Sequence, residues 1–312
     1  MFRPFRTFLL AIVLSVPAMC EPVWISVVPS KTDPEIHTFD TPHSVCIDRS
    51  MVLESNRGRH ELLLFLPGTG GSHRGAKAFL ETAAALGYHV IELMYPDDVS
   101  ASVCDDDRDP KAFESFRMAI IEGGSSPRMS IARQESIENR LEKLLLRLEA
   151  KRPRERWDQF LHGSDIAWDH IAVAGQSQGG GHAALIAIKH HVRRVLMFGA
   201  PKDFSRALNA PAAWYNEPSA TPAAAFFAIN HLQDHQACSF AEVLQNQYAL
   251  HMDQFGPPEN VDSEAPPYRH ARILTTNYPG TAVDSKTAHG TAISDRNQSV
   301  FRTVWTYMLT EG

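Results

Sequence analysis

Ile171-Ala-Val-Ala-Gly-Gln-Ser-Gln-Gly-Gly-Gly-His182 is the stretch on which the rest of the chain turns. Its first four residues are apolar in succession, the pattern of a strand buried on both faces of a parallel sheet. The Ala-rich segment Gly180–His190 reads as a helix. Between strand and helix sits Gly175-x-Ser177-x-Gly179. That spacing is steric: the serine occupies a strained turn, and flanking glycines let neighbouring backbone pass close on either side. Such a turn lifts the hydroxyl out at the carboxyl end of the strand, where open α/β sheets place their sites. The helix that follows supplies a field favourable to negative charge. Ser177 is therefore the expected nucleophile.

Working outward, five short apolar runs punctuate the chain: Leu62–Leu66, His89–Met94, Ile171–Ala174, Val195–Phe198 and Ala225–Ile229, with a weaker sixth at Ile273–Thr276. Helical patterns fall between most of them, at Gly75–Leu86, from Ser130 to Lys151, at Gly180–His190 and at Asp295–Leu309. Val23–Ile47 alternates and suits antiparallel strands. This rhythm predicts an α/β fold, a single domain over 21–312 with a mostly parallel central sheet and helices on both faces. Two stretches break it: Ser100–Pro127, long and polar, and Gly199–Pro222. Residues 199–222 hold Phe204, Trp214 and Tyr215, and either form a small cap lining an acyl pocket or pack as a loop.

The remaining roles follow from chain order, which in this architecture runs serine, acid, histidine. His289 lies between the last strand and the final helix and is the expected base; His182, His231, His235, His251 and His270 all fall earlier. Asp234 follows the run Ala225–Ile229 and is the expected acid, with Asp203, one strand earlier, as its rival. The acid's task is to hold the imidazole tautomer and then stabilise the imidazolium. The run Leu62–Leu66 ends in Pro67-Gly-Thr-Gly-Gly71, so the backbone N–H of Thr69 pairs with that of Gln178 as the expected oxyanion hole, Gly70 being the alternative to Thr69. A phosphate loop is the competing reading of Pro67–Gly71, and it lacks the lysine of G-x-x-x-x-G-K-[ST].

With these residues in place, the chain resembles the α/β-hydrolase superfamily over nearly all of its length, and more narrowly a group of secreted bacterial hydrolase-like proteins of unassigned substrate. The resemblance rests on Gly175–His182, Ala212-Ala-Trp214, Asn230-His-Leu-Gln-Asp234, and Ala288-His289 ahead of Val304–Leu309. It implies the fold and a Ser-His-Asp triad, and it implies no substrate. Pro67-Gly68 departs from the His-Gly that many esterases carry there. The expected activity is carboxylic-ester hydrolysis on a small-molecule ester or acyl substrate, through an acyl-enzyme. An amidase or peptidase, or a non-catalytic binding protein on the same fold, are the alternatives.

Composition narrows the rest. In 312 residues, 44% hydrophobic and 21% charged is ordinary globular usage, and a net charge of -6 provides no basic field for nucleic acid. No H-E-x-x-H and no C-x-x-C occurs among the many histidines and few cysteines, so neither metal nor other cofactor is expected. Asp105–Asp109 lacks the glycine and distal glutamate of an EF-hand and reads as a solvated loop. Arg3 and Arg6 precede the apolar run Phe8–Val16, then Pro17 and Ala18-Met-Cys20. Residues 1–20 thus read as a signal peptide, its apolar run of nine residues too short to span a bilayer, and direct the chain to the periplasm or outside the cell. No stable membrane insertion of the mature chain is expected. Export would permit one disulfide among Cys46, Cys104 and Cys238; the alternative is three packed thiols.

Overall fold

The computed structural model describes residues 22–53, 58–280 and 283–311. The expected signal peptide lies outside the described residues.

Nine strands form one sheet: β1 (Val23–Val27), β2 (His43–Ile47), β3 (Leu62–Leu66), β4 (His89–Glu92), β5 (Ile171–Gln176), β6 (Arg194–Phe198), β7 (Phe226–His231), β8 (Glu259–Asn260) and β9 (Ile273–Thr276). Their order across the sheet is β1-β2-β4-β3-β5-β6-β7-β9-β8. Only β2 runs antiparallel to its neighbours; the other pairs are parallel. The chain is thus α/β with a large, mostly parallel sheet, as the alternating apolar runs predict. Among the described residues eight α-helices accompany it: α1 (Arg49–Val52), α2 (Lys77–Ala85), α3 (Ala112–Ile121), α4 (Ile137–Lys151), α5 (Gln178–Lys189), α6 (Phe240–Ala249), α7 (Ser285–Gly290) and α8 (Gln298–Thr310). No described helix is long and apolar enough to cross a membrane.

The two-residue period of a strand divides the core. In β3, Leu62, Leu64 and Leu66 join a cluster with residues of α3, α4 and α5, while Leu63 and Phe65 join a second cluster with α2 and α8. In the second cluster Phe79 of α2 meets Phe198 edge-on at 4.9 Å and Trp305 of α8 at 5.9 Å. Burial on both faces explains why the central strands read as unbroken apolar runs.

Several boundaries differ from expectation. Helix α4 starts at Ile137, not near Ser130: the Ser136 side chain accepts a hydrogen bond from Asn139 N, while Ser130 pairs in a two-residue ribbon with Ser125. Helix α5 begins at Gln178, two residues before the expected start, because Ser177 itself is the turn. Helix α8 begins at Gln298 after a short 3-10 turn at Asp295–Asn297. The expected polar break at 100–127 contains α3, whose Phe113, Phe116 and Ile120 are buried. Among the described residues there is no disulfide: Cys46, Cys104 and Cys238 are buried thiols, each pushed up to about 12 by burial.

Candidate active site

Strands β3, β5, β7 and β9 are successive parallel members of the sheet apart from β6, and the loops that leave their carboxyl ends carry Thr69, Ser177, Asp234 and His289. Parallel pairing therefore brings residues spread over more than two hundred positions to one edge.

Ser177 sits at the β5–α5 junction with φ 53° and ψ -119°, a conformation that costs an L-residue energy and is held by its surroundings. Its N–H donates to Phe198 O on β6 at 2.8 Å. The glycines around it exist for lack of room: a Cβ on Gly175 would lie 2.2 Å from the Gly179 carbonyl carbon, and one on Gly179 would lie 2.0 Å from Leu66 O. Helix α5 consequently approaches β3 closely, which sets the elbow beside the Pro67–Gly71 loop.

His289, in α7, shares its Nδ1 with Asp234 Oδ2 at 2.7 Å. Asp234 is 3% exposed and also receives Lys202 Nζ at 2.8 Å on the same oxygen. Burial alone would raise its carboxyl pKa; the hydrogen bond to His289 and the Lys202 charge outweigh it and hold the pKa below the usual value. With Nδ1–H donated to Asp234, Nε2 is left as the acceptor. Ser177 Oγ makes no side-chain hydrogen bond among the described residues, and it lines the same cleft as His289. In unliganded sites that contact often tightens only with substrate.

The rival acid has another occupation. Asp203 is buried and takes a bidentate pair from Arg117 of α3, both contacts at 2.6 Å, plus a hydrogen bond from Trp214 Nε1 at 3.0 Å. Arg117 also donates to Gln178 O at 2.9 Å and touches His182 Nδ1 at 3.4 Å. A Cβ on Gly181 would meet Arg117 Nη2 at 2.1 Å, so the third glycine of the run makes space for this guanidinium. Asp203 and Arg117 form a brace beneath the elbow. Arg117 was not singled out from sequence. The signal was an arginine on the apolar face of Phe113, Phe116 and Ile120, inside a segment read as polar loop.

The Pro67–Gly71 loop is fixed by Asp97, beyond β4. Gly70 N–H donates to Asp97 O at 3.0 Å, and Gly71 N–H donates to Gly68 O at 2.8 Å and to Asp97 Oδ2 at 3.1 Å. The Gly70 amide is thus committed. Thr69 N–H has no acceptor among the described residues, and Gln178 N–H, at the first position of α5, has no intrahelical one. The Gln178 side chain ties three loops together: Oε1 accepts from Thr69 Oγ1 at 3.2 Å and from Ala101 N at 2.7 Å, and Nε2 donates to Val99 O at 3.0 Å.

The cleft over these groups encloses about 570 Å³. Residues 199–222 contribute Lys202, Asp203 and Arg206 to its wall. The aromatics expected to line an acyl pocket do not reach it: Trp214 and Tyr215 are buried in the core with α5, and Phe204 packs with Cys238 and Val243. The Trp214 and Tyr215 rings turn inward with their polar ends satisfied on Asp203: Trp214 Nε1 donates to its carboxylate, and its N–H donates to the Tyr215 hydroxyl oxygen at 3.2 Å. In Asp105–Asp109, Asp105 and Asp106 bind Arg206 at 2.9 and 3.0 Å, and Asp107 binds Arg128 at 3.2 Å, so these carboxylates serve ion pairs.

A scan against models of protein families finds none that matches the chain, and a search of curated proteins finds no match either.

Proposed function

We propose that the chain is a serine hydrolase of the α/β-hydrolase superfamily that cleaves carboxylic esters with Ser177, His289 and Asp234 as its triad. The observation that carries this reading is Ser177 in a strained strand-to-helix turn, in one cleft with a histidine hydrogen-bonded at 2.7 Å to a buried aspartate. The strand order, with β2 alone antiparallel, and the placement of acid and base after β7 and β9 support it.

In this reaction Ser177 Oγ attacks the carbonyl carbon as its proton passes to His289 Nε2. The carbonyl oxygen becomes an oxyanion in reach of the Thr69 and Gln178 amides, and the imidazolium is stabilised by Asp234. His289 then gives the proton to the leaving alcohol oxygen, the C–O bond breaks, and an acyl-serine remains. Water attacks the acyl carbon, losing a proton to His289, and the acid leaves as Ser177 recovers its hydrogen. No step calls on a cofactor.

The test is a serine-directed fluorophosphonate probe with peptide mapping, paired with Ser177→Ala. Labelling should fall on Ser177, and the folded variant should lose about 10⁴- to 10⁶-fold in kcat. Ester turnover undiminished in folded Ser177→Ala would overturn the reading. Export rests on Arg3, Arg6 and the Phe8–Val16 run. A mature N-terminus at or near Glu21 in native-host material would support it, and an intact Met1 on soluble protein from the native host would count against it.

A further inference from the structure

We infer that the cleft takes short acyl esters of neutral, hydroxyl-rich alcohols, such as O-acetylated sugars, and not fatty-acyl or ionic esters. This rests on the serine-hydrolase reading above and names its substrate class.

The argument begins with what the walls lack. Among the residues that line the cleft only Ala101 and Ala237 are apolar, and both are methyl-sized. A hydrocarbon chain would find no partner surface there, and it would strip water from side chains while returning no hydrogen bond. Sites that bind acyl chains are lined mainly by apolar side chains. Here the large aromatics of 199–222 are turned into the core instead.

The charges in the wall point away from ionic ligands. Each cation has its anion already: Lys202 with Asp234 at 2.8 Å, Arg206 with Asp105 at 2.9 Å, and Arg117 with Asp203 at 2.6 Å. A carboxylate or an ammonium on the substrate would have to break one of these pairs or lie beside a like charge.

What the walls offer is neutral hydrogen bonding of both signs. Gln176 and Gln236 line the cleft, and neither side-chain amide makes a hydrogen bond among the described residues; Gln176 Oε1 packs over Gly68, and the Gln236 amide is the freer of the two. Ser102 donates to Ser100 Oγ at 2.9 Å, and both hydroxyls keep further hydrogen-bonding capacity in the lining. A sugar, whose hydroxyls both donate and accept, can replace the water on these groups one for one.

The experiment uses the full chain and matched esters. First, the fluorophosphonate probe establishes whether Ser177 reacts. Then kcat/KM is measured on methyl 6-O-acetyl-glucoside, methyl 6-O-octanoyl-glucoside, acetylcholine and 3-acetoxypropanoate, all esters of primary alcohols. The acetyl glucoside should exceed each of the other three by about tenfold or more. Gln236→Leu should raise the octanoyl-to-acetyl ratio on the same sugar by a similar factor, and Ser102→Leu provides the same readout from another lining residue if the first variant does not fold. If Ser177 labels but the octanoyl or a charged ester is preferred, the substrate class falls and the hydrolase reading stands. If Ser177 fails to label and no ester turns over, the hydrolase reading falls and takes this inference with it.

Discussion

Two buried aspartates stand near the elbow, and their partners separate their roles. Asp234 holds His289; Asp203 holds Arg117. Asp234→Asn should cost about 10⁴-fold in kcat with the fold retained, since an amide favours the wrong imidazole tautomer. Asp203→Asn should instead leave the Arg117 charge buried without its partner. For Arg117, burial pulls the pKa down and the Asp203 charge outweighs it, so losing that carboxylate should cost about 3–5 kcal/mol of stability. Assaying both variants on one ester, with urea melts, separates these outcomes; a kcat collapse confined to folded Asp203→Asn would reverse the assignment. Lys202 adds a third effect. Its ammonium shares Asp234 Oδ2 with His289 and so withdraws part of the carboxylate's charge from the imidazolium. Lys202→Met leaves Oδ2 to His289 alone, so the folded variant should keep its kcat within about tenfold of wild type, where Asp234→Asn does not. A collapse in Lys202→Met as deep as that of Asp234→Asn would show that the ammonium is needed to hold the carboxylate in place.

At the scale of elements, helix α5 is held by three contacts that side chains would destroy. Gly175 lets β5 turn closely onto the first turn of α5, Gly179 allows the β3–α5 approach, and Gly181 admits Arg117. Gly181→Ala must displace a guanidinium pinned by two 2.6 Å contacts, so it should lower stability by about 1–3 kcal/mol, readable as a shift of the urea midpoint at constant slope. Ala at an exposed helical glycine would do the reverse. The strands themselves were legible because burial on both faces writes itself as consecutive apolar residues, and so was the strand-to-helix turn at Ser177, because its crowding demands flanking glycines. Other features carried no local mark. The edge strand Glu259–Asn260 is two residues long, and its identity comes from pairing with Leu274 and Thr275. The brace joins Arg117 to Asp203 across 86 residues, and no period in sequence reports such a contact. The helix around Arg117 did carry the i, i+3, i+7 pattern of Phe113, Phe116 and Ile120, hidden by the polar residues flanking it.

For the molecule as a whole, the sheet seals ionisable groups inside two cores, and they pull stability in opposite directions with pH. Burial pushes His43 down to about 3 and His89 down to about 4, the latter against the opposing hydrogen bond to Glu155 O at 2.6 Å. In the unfolded chain these rings take protons below about pH 6.5. Their contribution is thus present above that value and is lost as pH falls through the folded values. Burial also lifts Asp97 to about 6. That carboxyl contributes below its unfolded pKa near 4, and the contribution is lost as pH rises through 6. Between about pH 4 and 6 the rings and this carboxyl oppose each other, so the wild-type curve should be shallow there. One substitution exposes the balance. His89→Gln removes a ring that packs edge-on against Trp157 at 4.8 Å and Phe160 at 5.0 Å, so the variant should be less stable at pH 7. It also removes one acid-sensitive group. The gap between wild type and variant should then narrow on acidification by about 1.4 kcal/mol per pH unit from 6.5 toward 4. Urea melts of both proteins at pH 7, 6 and 5 measure that gap, and a gap that stays constant would mean His89 already takes its proton in the folded protein.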